Sequence, residues 1–180
     1  MRTRILVLML AAGIISSCGK QDGAHDAHKA KADSMKTAYV ALVAAMDAAA
    51  VDELGKYVAE NAVDHNAMPG QKAGLAGLKE MVTMWKSSFS DVKTTVEKMY
   101  VDGDILIAHL RWQGTNTGPM MPGMPATNKK VDNYGVDWTR WENGKFVERW
   151  GAFEEMKMME QLGLMPAMGG APAPADSTKK

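Results

Sequence analysis

The sequence predicts an α+β domain in which N-terminal helices pack in a curved antiparallel sheet and a short helix closes the C-terminal end. Two observations carry this reading. Apolar residues recur at steps of three and four from Met35 to Phe89, and from Val92 to Phe153 they alternate at a period of two. The two ends contain almost nothing a core could use: residues 19–33 are mainly Gly, Ala, Lys, Asp and His, and residues 167–180 mainly Ala, Gly, Pro, Ser and Lys. The domain is therefore expected over 34–166, with 18–33 as a flexible tether and 167–180 as a disordered tail.

Asp33 and Ser34 are candidate caps for a first helix, whose stripe runs Met35, Ala38, Tyr39, Leu42, Val43, Met46, Ala49. Asp52 can cap a shorter second helix carrying Leu54, Tyr57 and Val58. After a loop with Pro69, Gly70 and Gly74, a third stripe follows at Leu75, Leu78, Met81 or Val82, Trp85 and Phe89. Val92 to Val101 is rich in Val and Thr and ends at Asp102, Gly103, Asp104, a turn of hairpin type. In the next strand Ile105, Ile107, His109, Arg111 and Gln113 share one face, and Leu106, Ala108, Leu110 and Trp112 the other. A Pro- and Gly-rich loop from Thr115 to Lys130 precedes a third strand, Val131 to Trp141. Asn143 and Gly144 are a strong two-residue turn before a fourth strand, Lys145 to Phe153. With a regular hairpin there, Glu142 pairs with Lys145 and Asp137 lies opposite Trp150, next to Gly151. Glu154 to Leu162 reads as the last helix, with Gly163 suited to its C-cap.

Composition narrows the function classes. The chain has 180 residues, enough for one medium-sized core, and balances 21 Lys and Arg against 21 Asp and Glu. No basic field exists to track phosphates, so a nucleic-acid binder is not expected. A single Cys can make neither an internal disulfide nor a Cys-based zinc cage. That Cys has a telling context. Arg2 and Arg4 form a positive head, Ile5 to Ile15 is apolar but too short to span a bilayer, and Ser16 and Ser17 lead into Cys18.

The stretch Ile15, Ser16, Ser17, Cys18 resembles a bacterial lipobox, which implies a signal peptide over 1–17 and a lipid-bearing Cys18. Several acyl chains, at about 0.8 kcal/mol per buried methylene, would hold the protein on a membrane without a spanning helix. By resemblance to bacterial sorting rules, Gly19 in place of Asp favours the outer membrane of the cell envelope. Loss of Arg2 and Arg4 with the signal leaves 19 basic against 21 acidic groups, a mildly acidic protein.

Several blocks recur in an order that resembles the SnoaL-like polyketide cyclase, or ester cyclase, family. They are residues 57–70 (Tyr57 through Asp64, His65, Asn66 to Gly70), Gly74 to Lys79, Phe89 to Asp91, Gly114 to Gly118, Asn143 to Trp150 and Glu160 to Leu164. The resemblance implies the cone-shaped fold of the nuclear transport factor 2-like superfamily, with a pocket between sheet and helices that suits a flat hydrophobic molecule. It also implies an acid/base aspartate in the last long strand, within a motif like Glu-His-Trp-Asp. Here the motif is Glu148, Arg149, Trp150, Gly151, and glycine can neither take nor give a proton.

Other groups are candidates for the missing role. Asp137 is the best surviving carboxylate, as general acid or base or as a strand residue salt-bridged to Arg149. His65 is its candidate catalytic partner; with Asp64 it matches an Asp-His pair that the family places at the pocket mouth, and the alternative is a structural bond that fixes the turn there. Asn66, Trp85, Trp150, His109 and Glu154 complete the ligand-binding candidates. His109 also reads as an outer-face residue, and Glu154 as a helix-end acid favoured by the dipole. Met120, Met121 and Met124 form either an apolar cover or a soft Cu(I) site, the loop lacking His or Cys. His25 and His28 read as solvated linker rather than metal ligands. No cofactor or metal is expected, the partners being a small hydrophobic molecule, the membrane, and a second copy in a homodimer. An acid/base enzyme, a non-catalytic binder and an interaction module all remain open.

Overall fold

The computed structural model describes residues 19–120 and 123–165. The expected signal peptide, Cys18, Met121 and the tail 167–180 lie outside the described residues. The elements follow as α1 (Gly19–Asp47), a 3-10 turn (Leu54–Lys56), β1 (Val58–Asp64), α2 (Gly74–Ser88), β2 (Lys93–Asp102), β3 (Ile105–Thr115), β4 (Lys130–Glu142), β5 (Lys145–Phe153) and α3 (Glu155–Leu162). The five strands form one sheet in the order β1-β5-β4-β3-β2, antiparallel except for β1 against β5.

Two expectations about the N-terminal half need correction. Residues 19–33 are helical and continue α1 rather than forming a loose tether. Their Ala, Lys and Gln content is compatible with helix, and the packed turns that follow supply the nucleus such a segment lacks alone. The second helix is also replaced. Leu54 and Tyr57 have helical spacing but make only a 3-10 turn, and Val58 to Asp64 then runs as a parallel strand along β5. That edge decides the matter: Phe146 N–H donates to Tyr57 O at 2.8 Å and His65 N–H to Arg149 O at 2.9 Å, pairing backbone groups that would otherwise be left on an open sheet edge.

The core is the one the alternation predicts. Met35, Tyr39, Leu42 and Val43 of α1 pack with Leu75, Leu78 and Val82 of α2 and with Leu106, Ala108 and Leu110 of β3. Each fully buried Leu or Val contributes roughly 1.5–3 kcal/mol over its exposed state. A second cluster, Phe89, Trp112, Val131, Met158 and Leu162, ties α3 to the other end of the sheet. Asp47 at the end of α1 accepts from Thr94 N–H at 2.6 Å and from Thr94 Oγ1 at 2.7 Å, which locks helix to sheet. Gly163, at φ 73°, ends α3 in the left-handed conformation expected of a C-cap glycine.

The β4 to β5 hairpin departs from the simple register by one residue. Glu142 pairs with Lys145 as expected, but Trp141 pairs with Phe146 and Arg140 with Glu148, so Val147 is bulged out. Asp137 consequently faces Gly151, not Trp150, and Trp150 pairs with Trp138.

Candidate functional site

On the concave side of the sheet the inward residues of β4 are Asn133, Gly135, Asp137 and Thr139, and those of β5 are Arg149, Gly151 and Phe153. Between these strands, α2 and α3 lies a cavity of about 440 Å³. Met81, Met84 and Trp85 of α2 form one wall. Met158 and Met159 of α3, with Met120 of the long loop, form another, and Leu110, Trp112 and Phe153 come from the sheet. Trp85, Phe89 and Trp112 pack ring against ring at centroid distances of 5.3 to 5.5 Å, giving the wall a rigid aromatic corner. The polar exceptions include Asn66, Gln71, Ser88, Asn133 and Arg149.

The loop that carries Met120 is shaped by Asn116. Its amide donates to Gly118 O at 2.8 Å and its carbonyl accepts from Thr127 N–H at 2.8 Å, which ties the two described arms of the loop together. Met120 contributes to an apolar cover. Among the described residues no group of three or more His, Cys, Asp or Glu comes together to hold a metal ion.

Beside the cavity sits a buried charge cluster. Arg149 Nη2 donates to Asp137 Oδ1 at 2.9 Å, its Nη1 lies 3.3 Å from both Asp64 oxygens, and Tyr39 Oη donates to Asp137 Oδ2 at 2.7 Å. Burial alone would lower the Arg149 pKa, but the charges of Asp137 and Asp64 outweigh it and hold the guanidinium above its usual value. Tyr39 is pushed well above 10.0, by burial first and then by the negative charge of Asp137.

This shift fixes a pH dependence. Native Tyr39 keeps its proton at pH values where the unfolded tyrosine, at about 10.0, has lost it. Its stabilising contribution is complete below pH 10 and is lost as pH rises towards the higher native value. Urea midpoints measured from pH 7 to 11 should fall steeply above pH 10 in the native protein and less steeply in Tyr39→Phe. At pH 7 that variant should be about 1.5–3 kcal/mol less stable, because a bond to a charged acceptor is gone.

The structure brings some of the candidate residues together and separates others. Trp85 and Asn66 line the cavity, and Asn66 Oδ1 accepts from Gly151 N–H at 2.6 Å. Asp64 faces inward to Arg149, and Asp137 stands behind Gly151, where an ideal Cβ would lie 3.2 Å from its Oδ1. His65 does not share their side. It is the turn residue that follows β1, and its side chain leaves on the opposite side of the sheet from that of Asp64. Its ring stacks on Trp150 at 4.3 Å and its Nε2 lies 3.7 Å from Glu148, on the convex face with Trp138. The pairing of His65 with Asp137 is therefore corrected, and Trp150 leaves the site with it.

His109 is on the convex face as well, 3.1 Å from Glu97 and stacked on Tyr134. Glu154 is spent on Tyr134 N–H at 3.2 Å and Lys157 at 2.7 Å, and its neighbour Glu155 lines the cavity instead. Sequence reasoning overlooked Tyr39 as a partner of Asp137 and Asn133 as a cavity residue. Asn133 was within reach, since it shares the parity of Asp137.

Comparison with known proteins places the chain. The sequence profile described as SnoaL-like polyketide cyclase matches residues 36–162. Among solved structures, TsrD from Streptomyces laurentii is similar at 22% identity and a TM-score of 0.68, over 74% of this chain and 97% of that one. A candidate polyketide cyclase from Bacillus cereus ATCC 10987 is similar at 26% identity and a TM-score of 0.64, over 73% and 82%. A SnoaL-like polyketide cyclase from Agrobacterium tumefaciens str. C58 is similar at 23% identity and a TM-score of 0.61, over 72% and 98%. No curated protein matches the chain.

Proposed function

The chain belongs to the SnoaL-like polyketide cyclase family, and from that premise we propose that it is a binding protein whose concave cavity takes a small, mostly hydrophobic molecule. The observation that carries this reading is the wall itself: thioethers and aromatic rings around about 440 Å³, with a few polar groups to orient a ligand. Methionines adapt to a ligand's outline at little cost, and the fixed Trp85 to Trp112 corner offers a flat ring a stacking surface.

Binding is favoured over ring closure by the state of the carboxylates. Gly151 stands where the family motif has its aspartate. Asp137 already accepts from Tyr39 and Arg149, and Asp64 is paired with the same guanidinium. One observation supports a second reading, acid/base chemistry of cyclase or isomerase type: Asp137 Oδ1 lies directly behind the glycine, next to the position of the missing carboxylate. To act there it would have to release Arg149.

A neutral fluorescent probe such as N-phenyl-1-naphthylamine tests the binding reading. Wild-type protein should bind one equivalent. Met84→Trp, which fills the cavity, should weaken binding at least tenfold, and Trp138→Ala on the convex face should leave it unchanged. Equal binding by Met84→Trp would sink the proposal.

The proposal extends to the cell envelope. Arg2, Arg4, the short apolar run and Ser16-Ser17-Cys18 support a lipoprotein anchored through Cys18. Among the described residues no helix is long and apolar enough to cross a membrane. Mass spectrometry of membrane-fraction protein should find acyl chains on Cys18 and none after Cys18→Ala; an unchanged mass would refute the anchor. The convex face supports a homodimer, because Trp138 is 46% exposed beside Val136 and Ile107. Sedimentation of wild type against Trp138→Glu should show a dimer becoming a monomer, and a monomeric wild type would dismiss it.

A further inference from the structure

One buried side-chain polar atom in the cavity region has no partner among the described residues. Asn133 is 1% exposed, and its Nδ2 donates to Glu154 O at 3.2 Å. That donation settles which way the amide points, since a carbonyl oxygen facing Glu154 O would be repelled. The opposite atom, Asn133 Oδ1, is buried and accepts no hydrogen bond from any described residue. Buried polar groups without a partner are rare, and a carbonyl left so in an apolar wall lowers stability unless something fills the role. Asn133 is also held rigidly: it pairs with Trp112 across β3 and β4 and lies on the inward face that lines the cavity.

The geometry points to Asn133 as the residue that sets the ligand's specificity, by accepting a hydrogen bond from a hydroxyl on an otherwise apolar, ring-containing molecule. This rests on the proposed binding role of the cavity and sharpens it to a chemical class, phenols and alcohols rather than hydrocarbons or ethers. Two further facts agree. Met158 and Met159 line the same cavity and can shift to admit a ligand group to the carbonyl. Arg149, which lines the same cavity, has two carboxylates, Asp64 and Asp137, on its one guanidinium, an excess of negative charge that favours a donor over a second acceptor. A site built around an unpaired acceptor discriminates strongly against an analogue that cannot donate, because the analogue leaves the acceptor unpaired.

The test compares 2-naphthol with 2-methoxynaphthalene, the same ring system with and without the donor, by isothermal titration of the full-length mature protein. Wild type should prefer the naphthol by about tenfold, the effect of one hydrogen bond to an acceptor otherwise left unmade. Asn133→Leu keeps the bulk and removes the acceptor; it should bind both probes within twofold of each other. Equal affinities in wild type, or a preference that survives in Asn133→Leu, would overturn the inference. The wild-type comparison decides alone if the Leu variant does not fold. Equal binding of both probes would leave the cavity reading intact and reject only the role of Asn133, whereas binding of neither would reject both.

Discussion

Arg149→Leu is expected to destabilise the fold by about 3–5 kcal/mol, the usual cost of leaving buried charges without their partner. Arg149 is the only cation among the described residues bonded to Asp137 and Asp64, and the side chains of all three are less than 20% exposed. Its loss strands two carboxylates on the concave side of the sheet, with Tyr39 as one remaining donor. For a domain of this size the melting temperature should drop by roughly 10–20 °C. Adding Asp137→Asn to Arg149→Leu should recover part of the loss, since one stranded charge is removed, and the departure from additivity measures the coupling. A thermal melt of Arg149→Leu within 2 °C of wild type would show that the cluster is solvated and contributes little.

Gly151→Asp, which introduces the aspartate that the family resemblance implies at this position, should also destabilise, by about 2–4 kcal/mol. An added Cβ at residue 151 would come within 2.8 Å of Arg149 Nη2, 3.0 Å of Phe153 Cε2 and 3.2 Å of Asp137 Oδ1. The space is thus already occupied by the ion pair, and a third carboxylate would share one guanidinium. The double variant Gly151→Asp with Asp137→Asn should be more stable than Gly151→Asp alone, because the new carboxylate can then take over Arg149. In this chain the glycine and the Arg149 to Asp137 pair are two halves of one arrangement. Chemical denaturation of the three proteins tests it, and a neutral Gly151→Asp would contradict it.

Much of the fold is legible in the sequence for a physical reason. Strands β3 and β4 bury alternate residues so cleanly that Leu106, Ala108 and Leu110 can be assigned to the core from spacing alone. The parallel strand β1 is not legible, because its identity comes from the unpaired edge of β5 rather than from its own pattern of Val, Ala and Asn. The helix over 19–33 is hidden for a related reason: residues 24–33 are largely exposed, and continuity with the packed half of α1 extends it.

The candidate cavity is partly legible in the sequence. Asp137, Asp64, Asn66 and Trp85 lie on the concave side or in its wall, but His65, Trp150 and His109 do not. Reading a second helix through Val58 concealed the strand that brings Asp64 to Arg149 and leaves His65 on the other face, and one bulged residue, Val147, shifted the partner of Asp137 from Trp150 to Gly151. Neither the parallel edge nor the bulge has a local signature, because both arise from pairing between strands distant in the chain.

The thioether and aromatic cavity, rather than the aromatic convex face, is the proposed ligand site. The protein provides its own reporters. With methionine labelled at its methyl carbon, a titration with N-phenyl-1-naphthylamine followed by NMR should move the signals of Met81, Met84, Met120, Met158 and Met159, which line the cavity. Met46 and Met99, packed against the other core cluster, should stay in place. A titration that leaves the five cavity methyls unmoved would show that the cavity is not where the ligand binds.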